Sequence, residues 1–320
     1  MKTAVIANPK AARGRTGRRL AKVRQRLESR YGPFEVRFTE RRGHAIELAR
    51  ELLEAGFERI IGVGGDGTFN EIANGFIADD RPFRPGACLG FMPMGTGGDL
   101  RRTLGYPTGL EQIVETLVDS VPLEIDAGKI RYRAPSGEFA SRYFVNVASL
   151  GIGGEVCVRS TNFLSPLSGR AAFFYATLQG FMVYRSKRVE LFLDGQEAPL
   201  DYTALHIAVG NGRFHGGGMH VCPEASLSDG ILDVTVIKHL SLLTMLRDMS
   251  YLYDGRIYEY QKVDGYKART VRATSAEEVR IEVDGEGLGF LPVEISIIPR
   301  CLHILVPRNS PHLIGDGPTI

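Results

Sequence analysis

The sequence predicts two domains of different fold class: an N-terminal doubly wound α/β domain with a parallel sheet, and a C-terminal antiparallel β-sandwich. Three observations support this prediction. The chain has 320 residues, which is more than one hydrophobic core usually supports. Strands and helices alternate strictly over residues 1–125, whereas strand follows strand over most of 126–301. The tail at about 302–320 is expected to pack back on the first domain.

In the first domain, apolar strands alternate with helices of amphipathic spacing. The predicted strands are 3–8, 34–39, 59–63 and 88–93, and the predicted helices are 17–29, 44–55, 68–77 and about 109–119. The first of these helices carries an apolar stripe of Leu20, Val23 and Leu27. Strict alternation predicts a parallel sheet covered on both faces, in which ligands bind beyond the carboxyl ends of the strands.

The second domain contains six apolar segments, most of them separated by turns with Gly or Pro. These segments are "YFVNVAS", "RVELFLD", "ALHIAVGN", "ILDVTVIK", "VRIEVDG" and "VEISIIP". Only 169–184 and 241–253 have helical spacing. The pattern therefore predicts an antiparallel β-sandwich with one or two helical insertions.

Composition excludes several classes of protein. The longest apolar stretch, 171–184, has 14 residues and includes polar positions, so it is too short to span a membrane. The N-terminus enters a strand almost at once, so we expect no signal peptide. Four scattered cysteines and seven histidines show no metal-ligand spacing. We therefore expect buried thiols, surface imidazoles and a cytoplasmic protein.

Positive charge is concentrated at the N-terminus. Residues 1–50 contain 14 Lys or Arg and 4 Glu. Nucleic acid, an anionic bilayer or nucleotide phosphates would be attracted, but a solvated helix face explains the same charges. No nucleic-acid-binding module is recognisable, so we expect no nucleic-acid partner.

Glycine-rich turns follow three of the predicted strands. They are "NPKAARGRTG" (8–17), "GGDGT" (64–68) and "PMGTGGD" (93–99). The P-loop pattern is absent, and no G-x-G-x-x-G follows the first strand. Each turn alone is ordinary turn chemistry, but three turns beyond one sheet edge would converge on one crevice. Free N–H groups and a helix N-terminus at such a point favour an anion, with phosphate as the first candidate.

Together these motifs resemble the catalytic domain of the diacylglycerol kinases, a superfamily that includes sphingosine, ceramide and bacterial lipid kinases. The resemblance rests on "NP…G", "GGDGTFNEIANG" and "PMGTGGDL", and it continues in "GNGRFHGGGMHVCPEASLSDGILDV" and "EVDGEGLGFLPVEISIIP". GGDGT alone is also similar to NAD kinases and phosphofructokinases. The two later blocks distinguish the lipid kinases from these other families.

The resemblance implies a kinase that uses ATP and Mg²⁺, with its active site in the cleft between the domains. It places nucleotide contacts at the following positions: Asn8, Thr39, Gly64, Gly65, Asp66, Gly67, Thr68, Asn70, Gly95 and Thr96. The glycines would let backbone N–H groups approach the phosphates, and Asp66 would be a ligand of a Mg²⁺–water cluster. Thr68 could instead cap the following helix, and Thr39 could equally be a helix cap.

The resemblance also assigns Glu286 in "VDGEG" as the general base that accepts the proton of the lipid hydroxyl, with Asp99 as its partner. The alternative is a plain acidic hairpin turn, since Asp-Gly is a favoured turn dipeptide. Ser226, Asp229 and Ile231 resemble a structural Mg²⁺ site, with the carboxylate of Asp229 and two backbone carbonyls as ligands. Asp229-Gly230 could also be only a hairpin turn.

One motif departs from the family pattern. The family usually reads G-T-x-N-D-F, whereas this chain has Gly98 and Leu100 in "GTGGDL". The lost amide puts the hydrogen bonding near the phosphates in doubt, although Asp99 is retained. Two alternatives are kept: a soluble-substrate kinase of the NAD kinase type, which would explain GGDGT but not the later blocks, and a catalytically silent nucleotide-binding protein, which would explain the Gly98 departure.

The predicted acceptor is a lipid hydroxyl, with diacylglycerol as the default. The stretch 171–184 is either a buried helix or part of the surface that takes the acyl chains. Arg18, Arg19 and Lys22 are candidates for transient docking on the inner face of the membrane. A homodimer is left open.

Overall fold

A computed structural model describes residues 1–14, 16–95, 97–162, 179–181 and 183–313. The chain divides into two compact units. Unit 1 contains Met1–Ala127 and the segment from Ile298 onward, and unit 2 contains Gly128–Ile297.

Unit 1 is built on a parallel sheet with a short separate hairpin. Its strands are β1 (Thr3–Ala7), β2 (Glu35–Phe38), β3 (Arg59–Gly64), the hairpin β4 (Ile77–Ala78) and β5 (Arg81–Pro82), and β6 (Cys88–Pro93). In the sheet, β1 lies between β2 and β3, and β6 pairs with the other side of β3. The end of the last strand of the chain joins β6 in parallel, with His303 opposite Cys88.

The described residues of unit 1 also form six helices. They are α1 (Ala11–Gly14), α2 (Thr16–Tyr31), α3 (His44–Glu54), α4 (Asp66–Phe76), α5 (Asp99–Leu104) and α6 (Leu110–Val118). Leu20, Val23 and Leu27 of α2 are buried, as their spacing predicts. Helix α2 packs against α6, and α3 packs against α4. The predicted doubly wound α/β fold is confirmed.

Unit 2 is formed by antiparallel strands. They are β7 (Val121–Arg133), β8 (Phe139–Phe144), β9 (Val147–Gly151), β10 (Lys187–Leu193), β11 (Leu200–Gly210), β12 (Leu232–Lys238), β13 (Val263–Ala268), β14 (Thr270–Thr274), β15 (Arg280–Val283) and β16 (Glu286–Val306). Strands β7 and β16 also contribute residues to unit 1. The order β13-β12-β11-β10-β14-β16 forms one path, and β9 and β15 link β11 back to β16. Alternate residues such as Val189, Leu191 and Leu193 enter one shared core, so the predicted β-sandwich is confirmed.

The described helices of unit 2 differ from the prediction. Helix α7 (Ile152–Asn162) was missed because two glycines near its start lower its helix propensity. Tight packing explains both glycines, since a Cβ on Gly153 would lie 2.5 Å from Ser149 Oγ and one on Gly154 would lie 2.8 Å from Arg280. The predicted helix 241–253 is instead α8 (Leu242–Arg247) followed by a 3₁₀ turn, Met249–Leu252. The predicted helix 169–184 lies mostly outside the described residues.

The predicted strand "YFVNVAS" is broken into two. Strand β8 ends at Phe144 and β9 starts at Val147, and the side chain of Asp284 binds the backbone between them. All four cysteines are buried thiols, as expected. The expectation of surface imidazoles is wrong for His206 and His215, which are both buried.

Candidate active site

The three glycine turns meet at the carboxyl ends of β1, β3 and β6. Asn8 follows β1, and its Nδ2 donates a 3.1 Å hydrogen bond to Thr68 Oγ1 in the GGDGT turn. The N–H of Asn8 also donates to the carbonyl of Val63 at 2.9 Å. The GGDGT and PMGTGGD turns are joined by the N–H of Met94, which donates to the carbonyl of Gly64 at 2.6 Å. Unit 1 therefore brings the predicted phosphate turns together.

Glycine is required where two of these turns touch. A Cβ on Gly95 would lie 2.7 Å from the Cα of Gly65, and a Cβ on Gly64 would lie 2.6 Å from the side chain of Thr68. Gly65 is the N-cap of α4, so the N–H groups of Asp66, Gly67 and Thr68 have no partner within the helix. This first turn suits an anion such as a phosphate.

Thr68 does not cap α4. It is the third residue of the helix, and the N-cap Gly65 has no side chain that could accept a hydrogen bond. The alternative role of Thr39 as a helix cap is also wrong. Helix α3 begins at His44, and its N-cap is Gly43. The N–H groups of Gly43 and Ala45 donate to the buried carboxylate of Glu71 at 2.8 and 3.2 Å, so Glu71 caps this helix.

The two predicted acids of unit 1 lie side by side. Asp66 Oδ2 accepts a 3.1 Å hydrogen bond from the N–H of Asp99, the first residue of α5. Asp99 Oδ1 accepts in turn from Arg102 Nη1 at 3.2 Å. Arg102 also donates to the carbonyls of Gly97 and Gly98, so its guanidinium stabilises the PMGTGGD turn. The prediction that Asp99 partners Glu286 joins residues of different units and stays a prediction.

Gly98, the departure from the family motif, has a left-handed backbone with φ 69° and ψ 35°. Asn is the residue that tolerates this conformation best after Gly. The replacement of Asn by Gly is therefore compatible with the backbone, and what the chain loses is the side-chain amide.

The remaining nucleotide candidates are less directly placed. Thr39 is half-buried at the end of β2, and its N–H donates to the carbonyl of Ala7 at 3.0 Å. Asn70 is buried inside α4, where its Oδ1 accepts from Asn74 at 3.2 Å. Thr96 lies outside the described residues. The nucleotide contacts of these residues stay predictions.

In unit 2, the DGE motif forms a tight hairpin. Asp284 and Gly285 have φ values of 47° and 87°, and Val283 pairs with Glu286 across the turn. Two central residues with positive φ are typical of a type I′ turn. The carboxylate of Asp284 accepts hydrogen bonds from three N–H groups, those of Val145, Asn146 and Val147, at 2.9 to 3.1 Å. Asp284 therefore holds the hairpin on the β8–β9 connection.

Glu286 is the first residue after this turn. Its carboxylate lies 3.4 Å from Arg142 Nη2, and the two side chains are 18% and 17% exposed. The carboxylate is thus oriented by a cation but still reachable. Sequence analysis did not identify Arg142 as a functional residue, because it belongs to no motif. It lies on β8, 144 residues before Glu286 in the sequence.

A large apolar cavity lies within unit 2. Its volume is about 390 Å³, and α7, β11, β12, α8 and the following 3₁₀ turn contribute to its wall. Six of its apolar side chains are buried and packed together: Ile152, Val156, Leu205, Ile237, Ile257 and Val263. Two imidazoles, His206 and His215, also line it.

These two histidines belong to a buried polar cluster. Their rings stack with centroids 5.5 Å apart. His215 Nε2 lies 3.3 Å from Glu282 Oε2, which also accepts from Ser149 Oγ at 2.7 Å. The ring nitrogens of His206 have no hydrogen-bond partner within the described part of the chain. Burial, with a smaller effect of His215, lowers the pKa of His206 to about 3, so its ring is neutral near pH 7.

The predicted metal segment is a polar turn before β12. Asp229 is exposed, and its Oδ1 accepts a 3.0 Å hydrogen bond from the N–H of Ile231. The described residues contain no group of three or more His, Cys, Asp or Glu side chains placed to hold a metal ion. A site made from one carboxylate and backbone carbonyls would not need such a group, and its oxygen donors fit a hard cation such as Mg²⁺.

Two family descriptions match the chain in succession. Residues 2–130 match the diacylglycerol kinase catalytic domain, and residues 146–306 match the YegS C-terminal NAD kinase beta sandwich-like domain. A YegS-like lipid kinase of Pseudomonas putida is 31% identical, and the match covers 89% of each chain. The chain belongs to the family of YegS-like lipid kinases. A diacylglycerol kinase of Bacillus subtilis is 28% identical over 98% of each chain.

Solved structures agree with this membership at the level of the fold. A diacylglycerol kinase from Bacillus anthracis superposes with a TM-score of 0.69 at 22% identity, over 96% of this chain and 97% of that one. Yeast NADH kinase in complex with NADH superposes with a TM-score of 0.51 at 12% identity, over 100% and 89% of the two chains. The predictions of a lipid kinase family and a two-domain kinase fold are confirmed.

Two further observations bear on this lipid kinase. No helix in the described ranges has the length and apolar character needed to cross a bilayer. The side chains of Asp66 and Asp99 supply oxygen donors beside the phosphate turns, which is the ligand chemistry that Mg²⁺ prefers.

Proposed function

We propose that this lipid kinase transfers the γ-phosphoryl group of ATP to the hydroxyl group of a diacylglycerol-like lipid. The observation that carries the choice of acceptor is the apolar cavity of unit 2. Its volume of about 390 Å³ lies in the range of small-molecule sites, and its wall is rich in aliphatic and aromatic side chains. A soluble acceptor of the NAD type would leave this wall unexplained, whereas a hydrocarbon chain matches it.

The nucleotide is assigned to unit 1. The first turn of α4 and the touching glycines at 65 and 95 offer backbone N–H groups to the phosphates. Asp66 and Asp99 would hold the Mg²⁺–water cluster, which neutralises charge on the phosphates when bound. Arg102 keeps the second of these carboxylates in place. Phosphoryl transfer depends mainly on such positioning and charge neutralisation.

We assign to Glu286 the role of general base, which accepts the proton of the acceptor hydroxyl. As the lipid oxygen bonds to the γ-phosphorus, the bond to the bridging oxygen of ADP breaks and the Glu286 carboxylate takes the proton. Arg142, at 3.4 Å, orients that carboxylate. The location of the active site in the cleft between the domains stays a prediction.

Two accessory roles complete the proposal. Ser226, Asp229 and Ile231 would hold a structural Mg²⁺ through oxygen atoms, as the resemblance implies. Arg18 and Lys22 are exposed on α2 and Arg19 is half-buried beside them, so this helix would dock on anionic lipid. Vesicle sedimentation that responds neither to salt nor to anionic lipid content would contradict the docking role.

The test is transfer of label from γ-labelled ATP into the organic phase, with a panel of hydroxyl lipids in micelles that contain Mg²⁺. Glu286→Gln is measured beside the wild type, with Glu294→Gln as the matched control because Glu294 lies exposed on the same strand. We expect label in diacylglycerol with wild type and control, and its loss with Glu286→Gln.

Each other outcome would change a different part of the proposal. Equal labelling by Glu286→Gln would retain the kinase and reject the base. Label in NAD with none in any lipid would favour a soluble acceptor. Nucleotide binding without turnover on any acceptor would favour a silent binding protein.

A further inference from the structure

We infer that His215 is a positioning residue that couples filling of the unit 2 cavity to the placement of Glu286. This inference rests on the proposed function, because it takes the cavity as the site of the lipid chain and Glu286 as the base. It gives a route by which a bound lipid chain orders the turn at Asp284 and Gly285 that precedes Glu286, here called the catalytic turn.

The first link is between the cavity and Glu282. His215 lines the cavity and is only 8% exposed. Its Nε2 lies 3.3 Å from Glu282 Oε2, close enough for an Nε2–H group to donate. One residue therefore contacts both the space for the ligand and a buried carboxylate.

The second link is between Glu282 and the catalytic turn. Glu282 is 1% exposed, and its Oε1 accepts a hydrogen bond from the N–H of Gly285, the residue before Glu286. Ser149 donates to the other oxygen at 2.7 Å. A buried carboxylate is stable only while its hydrogen-bond donors stay in place, so a shift of His215 would be passed to this group. Glu282 and the N–H that it holds would move together.

The loop that carries His215 depends on the cavity for its position. His215 and Met219 exchange backbone hydrogen bonds of 2.9 Å, and both line the cavity. Between them, Gly216, Gly217 and Gly218 all have positive φ and have no side chains to pack. The side chains of His215 and Met219 are therefore the contacts that join this loop to the cavity, and a hydrocarbon chain in the cavity would add contacts at both ends.

The experiment compares acceptors of long and short acyl chain with wild type, His215→Phe and His215→Gln. Phe keeps the ring in the cavity wall but has no donor, whereas the Gln amide can donate to Glu282. His239→Phe is the matched control, because His239 is exposed in the same unit and bonds Ser186.

For the wild type we expect a higher kcat with the longer chain. His215→Phe should lose about tenfold in kcat on that acceptor at unchanged KM for ATP, and His215→Gln should recover most of the loss. The control should match the wild type. A kcat of His215→Phe equal to that of the wild type on both acceptors would overturn the inference.

Hydrogen exchange in a peptide covering residues 280–290 gives a readout that is independent of turnover. The probe is a long-chain diacylglycerol analogue in which hydrogen replaces the hydroxyl group. It should slow exchange in the wild type and His215→Gln but not in His215→Phe, and equal protection in all three would overturn the coupling. A wild type that phosphorylates no lipid would reject the proposed function instead, and the exchange response would still decide whether cavity and turn are linked.

Discussion

Substitution of Gly95 by Ala tests whether the nucleotide site depends on direct backbone contact between its turns. A Cβ at this position would lie 2.7 Å from the Cα of Gly65. Carbon atoms in ordinary contact are about 3.5–4.0 Å apart, so the two turns would have to separate by about 1 Å. The neighbouring atom belongs to the backbone and not to a flexible side chain, so a rotamer change cannot relieve the clash.

The expected loss is larger in activity than in stability. A displacement of about 1 Å in a positioning element lowers the rate roughly a hundredfold, which equals about 2.7 kcal/mol of transition-state stabilisation. Gly95 is exposed, so the turn can move outward without breaking a core. We therefore expect a loss in stability of about 1 kcal/mol, at the low end of overpacking.

The assay is kcat/KM for ATP with a diacylglycerol acceptor, together with urea unfolding of the same variant. Gly109→Ala is the control, because Gly109 lies outside the three glycine turns, has φ −78°, and a Cβ there would meet only the flexible side chain of Gln112, at 3.1 Å. The control should keep full activity and lose at most about 1 kcal/mol, because Ala is a poorer N-cap than Gly. Near-wild-type kcat/KM in Gly95→Ala would show that the site does not need the close approach of Gly95 to Gly65.

Three further substitutions have defined outcomes. Gly98→Asn should change the free energy of unfolding by less than about 1 kcal/mol, since Asn tolerates the left-handed backbone, and a loss several times larger in urea titration would contradict this. Asp284→Asn should lower the free energy of unfolding by about 2 kcal/mol in the same titration. The carboxylate accepts hydrogen bonds from three N–H groups, and in the variant an amide N–H₂ would face one of them; an unchanged midpoint would count against that role. The pKa of His206 is about 3 when folded and 6.5 when unfolded, so only the unfolded chain gains this proton as pH falls below 6.5. Stability is therefore lost on acidification, and His206→Phe should reduce the loss between about pH 7 and 5 by about 2 kcal/mol relative to wild type. Parallel pH profiles of the two proteins would refute the assignment.

The fold was predictable because its signals are local. Strict alternation of apolar strands and amphipathic helices fixed the class of unit 1, and the buried stripe of α2 lies where its spacing indicated. Helix α7 was not predictable, because Gly153 and Gly154 read as a turn. Both glycines allow close packing, Gly153 against Ser149 and Gly154 against Arg280, and Arg280 is distant in sequence. Long-range packing here overrides local propensity.

The candidate site divides in the same way. Glycine turns and the DGE motif are contiguous in sequence, so Asp66, Asp99 and Glu286 could be proposed from pattern and resemblance. Arg142 lies in no such motif, and His215 lies in a block to which the resemblance assigned no role. Long-range packing brings these two residues near Glu286 and Glu282. Their roles follow from distances across the sandwich, which periodicity does not encode.

The DGE motif shows how a structural and a catalytic interpretation can hold at once. The sequence offered a plain hairpin turn and a general base as alternatives for the same residues. The structure confirms the hairpin, in which Asp284 and Gly285 take the two positive φ values. Asp284 then uses its carboxylate to anchor the turn on three N–H groups, so it is not available as a base. Glu286 lies one position beyond the turn, partly exposed and paired with Arg142, so the hairpin that seemed to compete with catalysis is what presents the proposed base.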